Sequence, residues 1–405
     1  VSDNINVKSP DAVVAGIVVV LMAIGTVMVF SAGANLTGEL TLEHFYDFTT
    51  LRQLIFFPLA VGLMYLISMI DYHELSFTKR DWKKSLTTYL LALSIVLLVI
   101  VLIPHIGVSR NNARRWLSLP LGAASVSFQP SELAKWAVVF FLAAAIDLFG
   151  ETVKFFKSRF LPIICVVGIV VVLIVKEDFG SAALIIVLTF FMLLVGGARL
   201  IYLLSPLPLV IAGAIYVVIK SPARMSRIMA FLHPEELAGS AAYQANQSLI
   251  AIASGGIFGK GLGNGVCKYG HLPEDTTDFI FAIVGEELGF VGVATLILLF
   301  IAFILVCTLI VVRCKDRFGQ LLAGGIVAAV GIQAALNIGV ATVILPTKGI
   351  GLPFVSAGGT SMLLSAAAVG VLLNIARQTA SSNDLAMARI APAEVTLPKV
   401  QAAGV

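Results

Sequence analysis

The sequence predicts an all-α, polytopic membrane protein with ten transmembrane helices. Three observations carry that prediction. Hydrophobic residues fill 59% of the 405 positions and charged residues only 12%, with a mean hydropathy of +1.00; soluble domains run nearer ~25% charged. The apolar residues gather in runs close to the ~20 that cross a hydrocarbon core. Strand patterning is scarce, and helices satisfy their own backbone hydrogen bonds in lipid. The same composition excludes a water-soluble enzyme and a disordered chain. A net charge of +4 is too small to point to nucleic acid.

The elements follow in order. The run 12–31 comes after a short polar start, lacks a small-residue cleavage site and is long enough to span, so it reads as a helix and not a signal peptide. Runs 53–70, 86–103 and 131–149 follow. The short pair 160–175 and 180–196 has only Lys176-Glu177-Asp178-Phe179 between its members, which reads as a tight helical hairpin. Runs 201–219, roughly 286–312, 319–344 and 358–376 complete the ten. Residues 1–377 form one transmembrane domain, and 378–405 read as a flexible cytoplasmic tail. The four cysteines form no CxxC motif and the five histidines are scattered, so neither disulfides nor a zinc site is indicated.

Positive charge sets the orientation. With the N-terminus inside, the inner segments hold 15 Lys and Arg. The outer segments hold 6 once the long loop 220–278 is discounted for its length. N-in, C-in follows. The inner loops are short and plain, and nearly every unusual local pattern lies outside. No nucleotide is expected at that face, so chemistry there would draw on an already activated donor such as a lipid-linked diphosphate.

Three outer segments could carry chemistry. In 110–135, Pro130 and Ser131 suit a helix start with Ser131 as N-cap. Glu132 and Lys135, three apart, share a face of its first turn. Ionisable residues in a span are a functional hypothesis by default, although this pair would also serve simply to neutralise itself. Arg114 and Arg115 beside Trp116 would suit diphosphate oxygens or anchor the interface. In 220–278, the half-apolar stretch 243–256 reads as an interfacial or re-entrant helix. Its glycines fail the phosphate-loop pattern and read as a turn. Glu274 and Asp275 look like loop residues, whereas Asp278 is followed at once by an apolar helix. A carboxylate at that boundary is either a helix cap or a base raised by partial desolvation. The last outer loop, 345–361, brings Lys348, Ser356 and Gly358-Gly359-Thr360-Ser361 to a helix start, whose free N–H groups attract anions. The same small residues would also serve helix packing.

Together these segments resemble the SEDS family (shape, elongation, division and sporulation), within it the FtsW-type cell-division branch. The matching stretches are ARRW at 113–116, FQPSELAK at 128–135 and RIMAFLHP at 227–234, then YQANQSLIAIASGG at 243–256. LPEDTTDFIFAIVGEELGFVG at 272–292 and LPTKGIGLPFVSAGGTS at 345–361 complete them. GKGLGNG at 259–265, GEELG at 285–289 and TKG at 347–349 look division-like, with the rod-elongation (RodA-type) branch as competitor. The chain departs from the family at 176–182, which reads KEDFGSA where a QPDLGTA-like run is usual, at Ala357 and at Asn112.

The resemblance implies a ten-helix peptidoglycan glycosyltransferase that polymerises lipid II at the outer face of the cytoplasmic membrane. Its expected partners are undecaprenyl-diphosphate-linked glycan, a class B penicillin-binding protein, and other division proteins at the septum. The family's essential acid falls on Asp278, and its cavity Glu and Lys on Glu132 and Lys135. The expected substrate contacts are Arg114, Arg115, Lys348, Ser356, Gly358, Gly359 and Thr360. No cofactor is evident, and a divalent cation (Mg or Mn) is a candidate because diphosphate and carboxylates supply oxygen ligands. A single-span partner is expected on a small-residue face of 286–312 or 319–344, the latter holding Gly324, Gly325, Gly331 and Gly339. The alternatives are a lipid II flippase and a scaffold for the transpeptidase.

Overall fold

The structure, a computed structural model, describes residues 10–33, 49–110, 113–121, 124–232, 240–268 and 276–390. Lys8, Asn112, Glu274, Asp275 and positions 391–405 of the expected tail lie outside the described residues.

The apolar runs are helical. They form α1 (Pro10–Ala32), α2 (Thr49–Ile67), α3 (Leu86–Leu102), α4 (Pro130–Phe149), α5 (Leu161–Val175) and α6 (Phe179–Val195). The run expected as 201–219 is broken into α7 (Leu200–Leu204) and α8 (Leu207–Ile219). The break falls at Pro206, which has no N–H to continue the helix. Helices α9 (Pro222–Leu232) and α10 (Ser240–Ser254) occupy the long loop, so the helix expected at 243–256 is present and α9 adds one not foreseen. Helices α11 (Ile280–Arg313), α12 (Arg317–Ala341) and α13 (Gly359–Ile390) close the bundle. Helix α13 carries on through 378–390, so no break in structure marks the expected start of the tail. Among the described residues, six helices are long and apolar enough to cross a membrane, and three shorter ones are apolar.

The all-α expectation needs one correction. Residues 107–128 form a three-stranded antiparallel sheet of β1 (Gly107–Arg110), β2 (Ala113–Leu121) and β3 (Ala124–Phe128), in that order. Val108 pairs with Trp116 and Leu117 with Phe128. The alternation of Ser125-Val-Ser-Phe128 is a period-2 pattern, but it spans only one short strand beside long apolar runs.

Helix α4 lies at the centre, buried on every side from Leu133 to Ile146, as expected of a helix apolar all round. Helix α8 has no buried residue. One end of the bundle ties the turn after α2 to α12 and α13: Tyr72 donates from its hydroxyl to Asp316 and from its backbone N–H to Asn374. Arg377 of α13 meets Asp11 of α1 at 2.9 Å there. The sheet, α9, α10, the segment 276–279 and the loop 342–358 gather at the opposite end.

Of the four glycines offered as a partner face on α12, three are turned into the molecule. A Cβ at Gly325 would meet Met192, one at Gly331 Ile304 and one at Gly339 Leu345, while Gly324 alone of them faces open space.

Candidate active site

A cavity of about 800 Å³ opens among α2, β2, α4, α9, α12, the 276–279 segment and the 342–358 loop. Its walls bring together Asp278, Glu132, Arg115, Arg227 and Lys348, with Ser356, Gly358 and Gly359 beside them. Three segments far apart in sequence thus converge on one cavity.

Asp278 sits half-buried on the turn before α11. Its backbone is held on two sides. Asn337 of α12 donates its amide to Asp278 O and to Ile350 O, both at 2.8 Å. Ser356 donates its hydroxyl to Thr277 O at 2.5 Å, and Ala357 N–H reaches Thr276 O at 2.8 Å. Ser356 also accepts from Leu352 N–H at 2.6 Å. Its first duty is therefore to fix the Asp278 turn to the last loop. Gly349 passes over the carboxylate: a Cβ there would stand 3.2 Å from Arg115 Nη1 and 3.4 Å from Asp278 Oδ2. Carboxylate and guanidinium thus lie on either side of a glycine that has no side chain to fill the space.

Strand β2 and the α5–α6 turn aim Arg115. Its Nε donates to Glu177 O at 2.6 Å, and Glu177 accepts the Arg114 N–H at 2.7 Å. The atypical 176–182 turn is thus built into the site. Its Asp178, 3% exposed, accepts from Gln129, Ser131 and Ser181 and caps α6. Ser131 spends its hydroxyl on Asp178, so it is not the N-cap of α4; Gln129 holds that place, with Pro130 starting the helix.

Arg224 and Arg227, three apart on α9, join Arg115. Desolvation and the charge of Arg115 push Arg227 below its ordinary value, while Asp278 pulls the other way. Arg224 is lowered by the same two causes, and it donates to Val175 O at 3.1 Å. Lys348 lies over the Phe179 ring at 5.5 Å, and burial lowers its pKa. Several cations pressed together and partly stripped of water make a site whose charge is relieved by a bound anion.

On the opposite wall Glu132 meets Lys135 at 2.8 Å, as their spacing implied. Glu132 also accepts from Ser361 at 2.9 Å, and Lys135 donates to Gln333 at 2.8 Å. Gln333 in turn donates to Gly351 O at 2.9 Å. Lys135 is 1% exposed and stands behind Glu132. It, Arg114 and Thr360 are not among the residues lining the cavity. Arg114 points to solvent, and Thr360 is buried at the start of α13.

Sequence reasoning missed Arg52, Gln53, Arg224, Gln333 and Asn337, and met Arg227 only inside a matching stretch. The arginines of α9 carried a signal in their i,i+3 spacing. Gln333 and Asn337, four apart in an apolar helix, carried another. Among the described residues no group of three or more His, Cys, Asp or Glu converges. A divalent cation would therefore depend on Asp278 or Glu132 together with oxygens of the substrate.

A family model described as cell cycle protein, spanning FtsW, RodA and SpoVE, matches residues 11–381. A probable peptidoglycan glycosyltransferase FtsW of Geobacter sp. (strain M18) is 36% identical over 370 residues, 91% of this chain and 97% of that protein. Stage V sporulation protein E of Bacillus subtilis (strain 168) is also 36% identical, with the same coverage of 91% and 97%. Among solved structures, a chain of a peptidoglycan synthase complex that coordinates polymerization and crosslinking superposes with a TM-score of 0.71 at 25% identity, covering 90% of this chain and 97% of that one. The rod shape determining protein RodA of Thermus thermophilus superposes with a TM-score of 0.62 at 25% identity, covering 90% and 96%. The match runs from the first helix into the last and encloses every wall of the cavity, and so the chain belongs to the FtsW/RodA/SpoVE family of cell cycle proteins.

Proposed function

We propose that this multi-pass membrane protein is a peptidoglycan glycosyltransferase that polymerises lipid II in the cavity around Asp278. The observation that carries the reading is the pairing of one carboxylate with a cluster of cations in a single cavity: Asp278 faces Arg115, with Arg227 and Lys348 on the same walls. That is the charge distribution the reaction asks for. A hydroxyl of the acceptor sugar attacks the donor's anomeric carbon. The carbon–oxygen bond to the lipid diphosphate breaks as the new glycosidic bond forms, with inversion in a single displacement. Asp278 takes the hydroxyl proton. Arg115, Arg227 and Lys348 stabilise the negative charge that develops on the departing diphosphate. Glu132, held by Lys135 and Ser361, offers acceptor oxygens to sugar hydroxyls on the opposite wall. A bound Mg or Mn ion would add charge to the diphosphate, with Asp278 or Glu132 as its protein ligand.

In this reading the ten apolar segments all span, with α7 and α8 as one of them, and both termini lie inside. The cavity then opens outward, where lipid II is presented. The division-like motifs support work at the septum, with other division proteins. A class B penicillin-binding protein is the partner that cross-links the product.

Asp278→Asn tests the chemistry. It keeps the size of the side chain and removes its basicity. Purified with its partner, the variant should bind lipid II yet form glycan about 10²–10⁴-fold more slowly than wild type. Polymerisation near the wild-type rate would show that Asp278 is not the base. A wild type that moves lipid II across vesicles and makes no glycan would favour the flippase.

A further inference from the structure

The walls of the cavity do not use the most deeply buried charges among the described residues. Glu286 and Glu287 are both 0% exposed on α11. Lys260 Nζ meets Glu286 at 2.7 Å, and Lys268 Nζ meets Glu287 at 3.0 Å. Glu286 also accepts the backbone N–H groups of Val266 and Cys267. Ser31 of α1 donates to Glu287 at 2.5 Å, and Lys268 bonds back to Ser31 O at 3.1 Å. Two carboxylates, two ammonium groups and a hydroxyl thus form a neutral, satisfied knot.

The knot lies where α11 is broken. Gly289 has φ +66° and ψ −162°, which no helix interior adopts. In a continuous helix the N–H groups of Phe290 and Val291 would bond to the carbonyls of Glu286 and Glu287. Here they donate to Gly256 O at 2.9 Å and Ile257 O at 3.1 Å. The carbonyls of Glu286 and Glu287 accept instead from Lys260 N–H at 3.0 Å and Gly261 N–H at 2.9 Å. The strap 255–268 is therefore spliced into the break, and it fits only because of its glycines: a Cβ at Gly259 would lie 2.1 Å from Glu287 O.

The break divides α11 into a half-helix, 280–288, and a longer piece. The half-helix begins two residues after Asp278, and the strap is spliced into its far end. We propose that Glu286 and Glu287, clamped by Lys260 and Lys268, are positioning residues that seat the strap in the broken helix and so aim the half-helix adjoining Asp278. The inference rests on Asp278 being the base of the proposed reaction. Neither pair touches the cavity, so neither is a catalytic residue. Their effect on the reaction comes from where they hold the carboxylate.

The test uses the full chain purified with its partner, in Lys268→Met, Glu287→Met and the paired Lys268→Met/Glu287→Met. Each single variant strands a buried charge, whereas the pair removes both and leaves apolar groups of similar bulk. Displacing a reacting group by about 1 Å costs on the order of 10²-fold. Each single variant should lose about that much in kcat per folded molecule, with KM for lipid II within about twofold, and the pair should recover most of it. Hydrogen exchange across 276–288 should rise in the single variants and fall back in the pair. Unchanged kcat per folded molecule in the single variants, or a loss carried by KM alone, would overturn the inference. Where Lys268→Met does not fold, Lys260→Gln, at a partly exposed lysine, gives the same comparison. A wild type that forms no glycan would sink the reading of the site instead. Exchange then decides the strap alone: a rise across 276–288 supports it, and no change overturns it.

Discussion

At the scale of single residues, the cavity is a place where charge is held under strain. Lys348 is the plainest case. Burial disfavours its ammonium form, so the pKa falls below that of an ordinary lysine. The sign follows. The folded chain gives up this proton at a lower pH than the unfolded chain does. Lys348 therefore subtracts from stability while it stays protonated, and that cost fades as the pH rises through its lowered pKa. A diphosphate bound beside it would reverse the shift. For activity the expectation is an alkaline limb in kcat/KM that begins below the usual lysine range. Lys348→Arg should move that limb upward, because a guanidinium stays charged. A limb that stays in place in the arginine variant would assign it to another group.

The Glu132–Lys135 pair makes a second prediction at this scale. Lys135 is buried and has Glu132 and Gln333 as partners. Glu132→Ala strands the lysine and should cost about 3–5 kcal/mol of stability. The charge swap Glu132→Lys/Lys135→Glu should recover most of that loss in a thermal melt. It should not recover glycan synthesis, since the cavity wall then presents a cation where it had a carboxylate. Full polymerisation by the swapped protein would leave the pair a structural role only.

At the scale of elements, legibility followed periodicity and length. Long apolar runs were legible because nothing else in a sequence has that signature. Asp278, Glu132 and Lys348 were legible as charges at the edge of such runs. The sheet at 107–128 was not, because its strands are short and their alternation is too brief to stand out beside long apolar runs. The break in α11 was hidden for a different reason. The run read as roughly 286–312 belongs to a helix over Ile280–Arg313, whose 34 residues would span about 51 Å if straight, against a hydrocarbon core of about 30 Å. The excess length was the available clue, with two adjacent glutamates inside an apolar run as a second. Arg224, Gln333 and Asn337 act by reaching carbonyls of other segments, so their spacing marked them while their partners stayed out of view.

The last loop illustrates how closely the elements fit. Helix α1 passes against Val355, where a Cβ on Gly25 would stand 2.5 Å from the Val355 Cα. That contact is backbone and cannot swing away. Gly25→Ala should push α1 off the loop that holds Asn337, Ser356 and the Asp278 turn together. The expected outcome is a lower melting temperature together with reduced glycan synthesis by the folded fraction. A variant with an unchanged melt would mean that α1 moves freely against the loop.

At the scale of the whole molecule, the two ends of the bundle differ in kind. One end ties its turns with ion pairs and caps, among them Asp11–Arg377 and the Tyr72–Asp316 contact. The other holds the cavity. The turn 71–85 at the first end carries Lys79, Arg80, Lys83 and Lys84, the densest basic cluster outside the spans. Positive charge of that density favours the cytoplasmic side, and the proposed orientation then turns the cavity outward. The orientation matters to the chemistry, because a donor activated before it reaches the outer leaflet needs no nucleotide there. Single cysteines in a cysteine-free background decide it. Trp82→Cys lies exposed in the basic turn, and Ala223→Cys lies exposed at the start of α9. In intact cells a membrane-impermeant maleimide should label Ala223→Cys and should reach Trp82→Cys only after the membrane is opened. The reverse pattern would turn the cavity to the cytoplasm. The leaving diphosphate would then be released on the side where lipid II is made, and polymerisation at the outer face would lose its site.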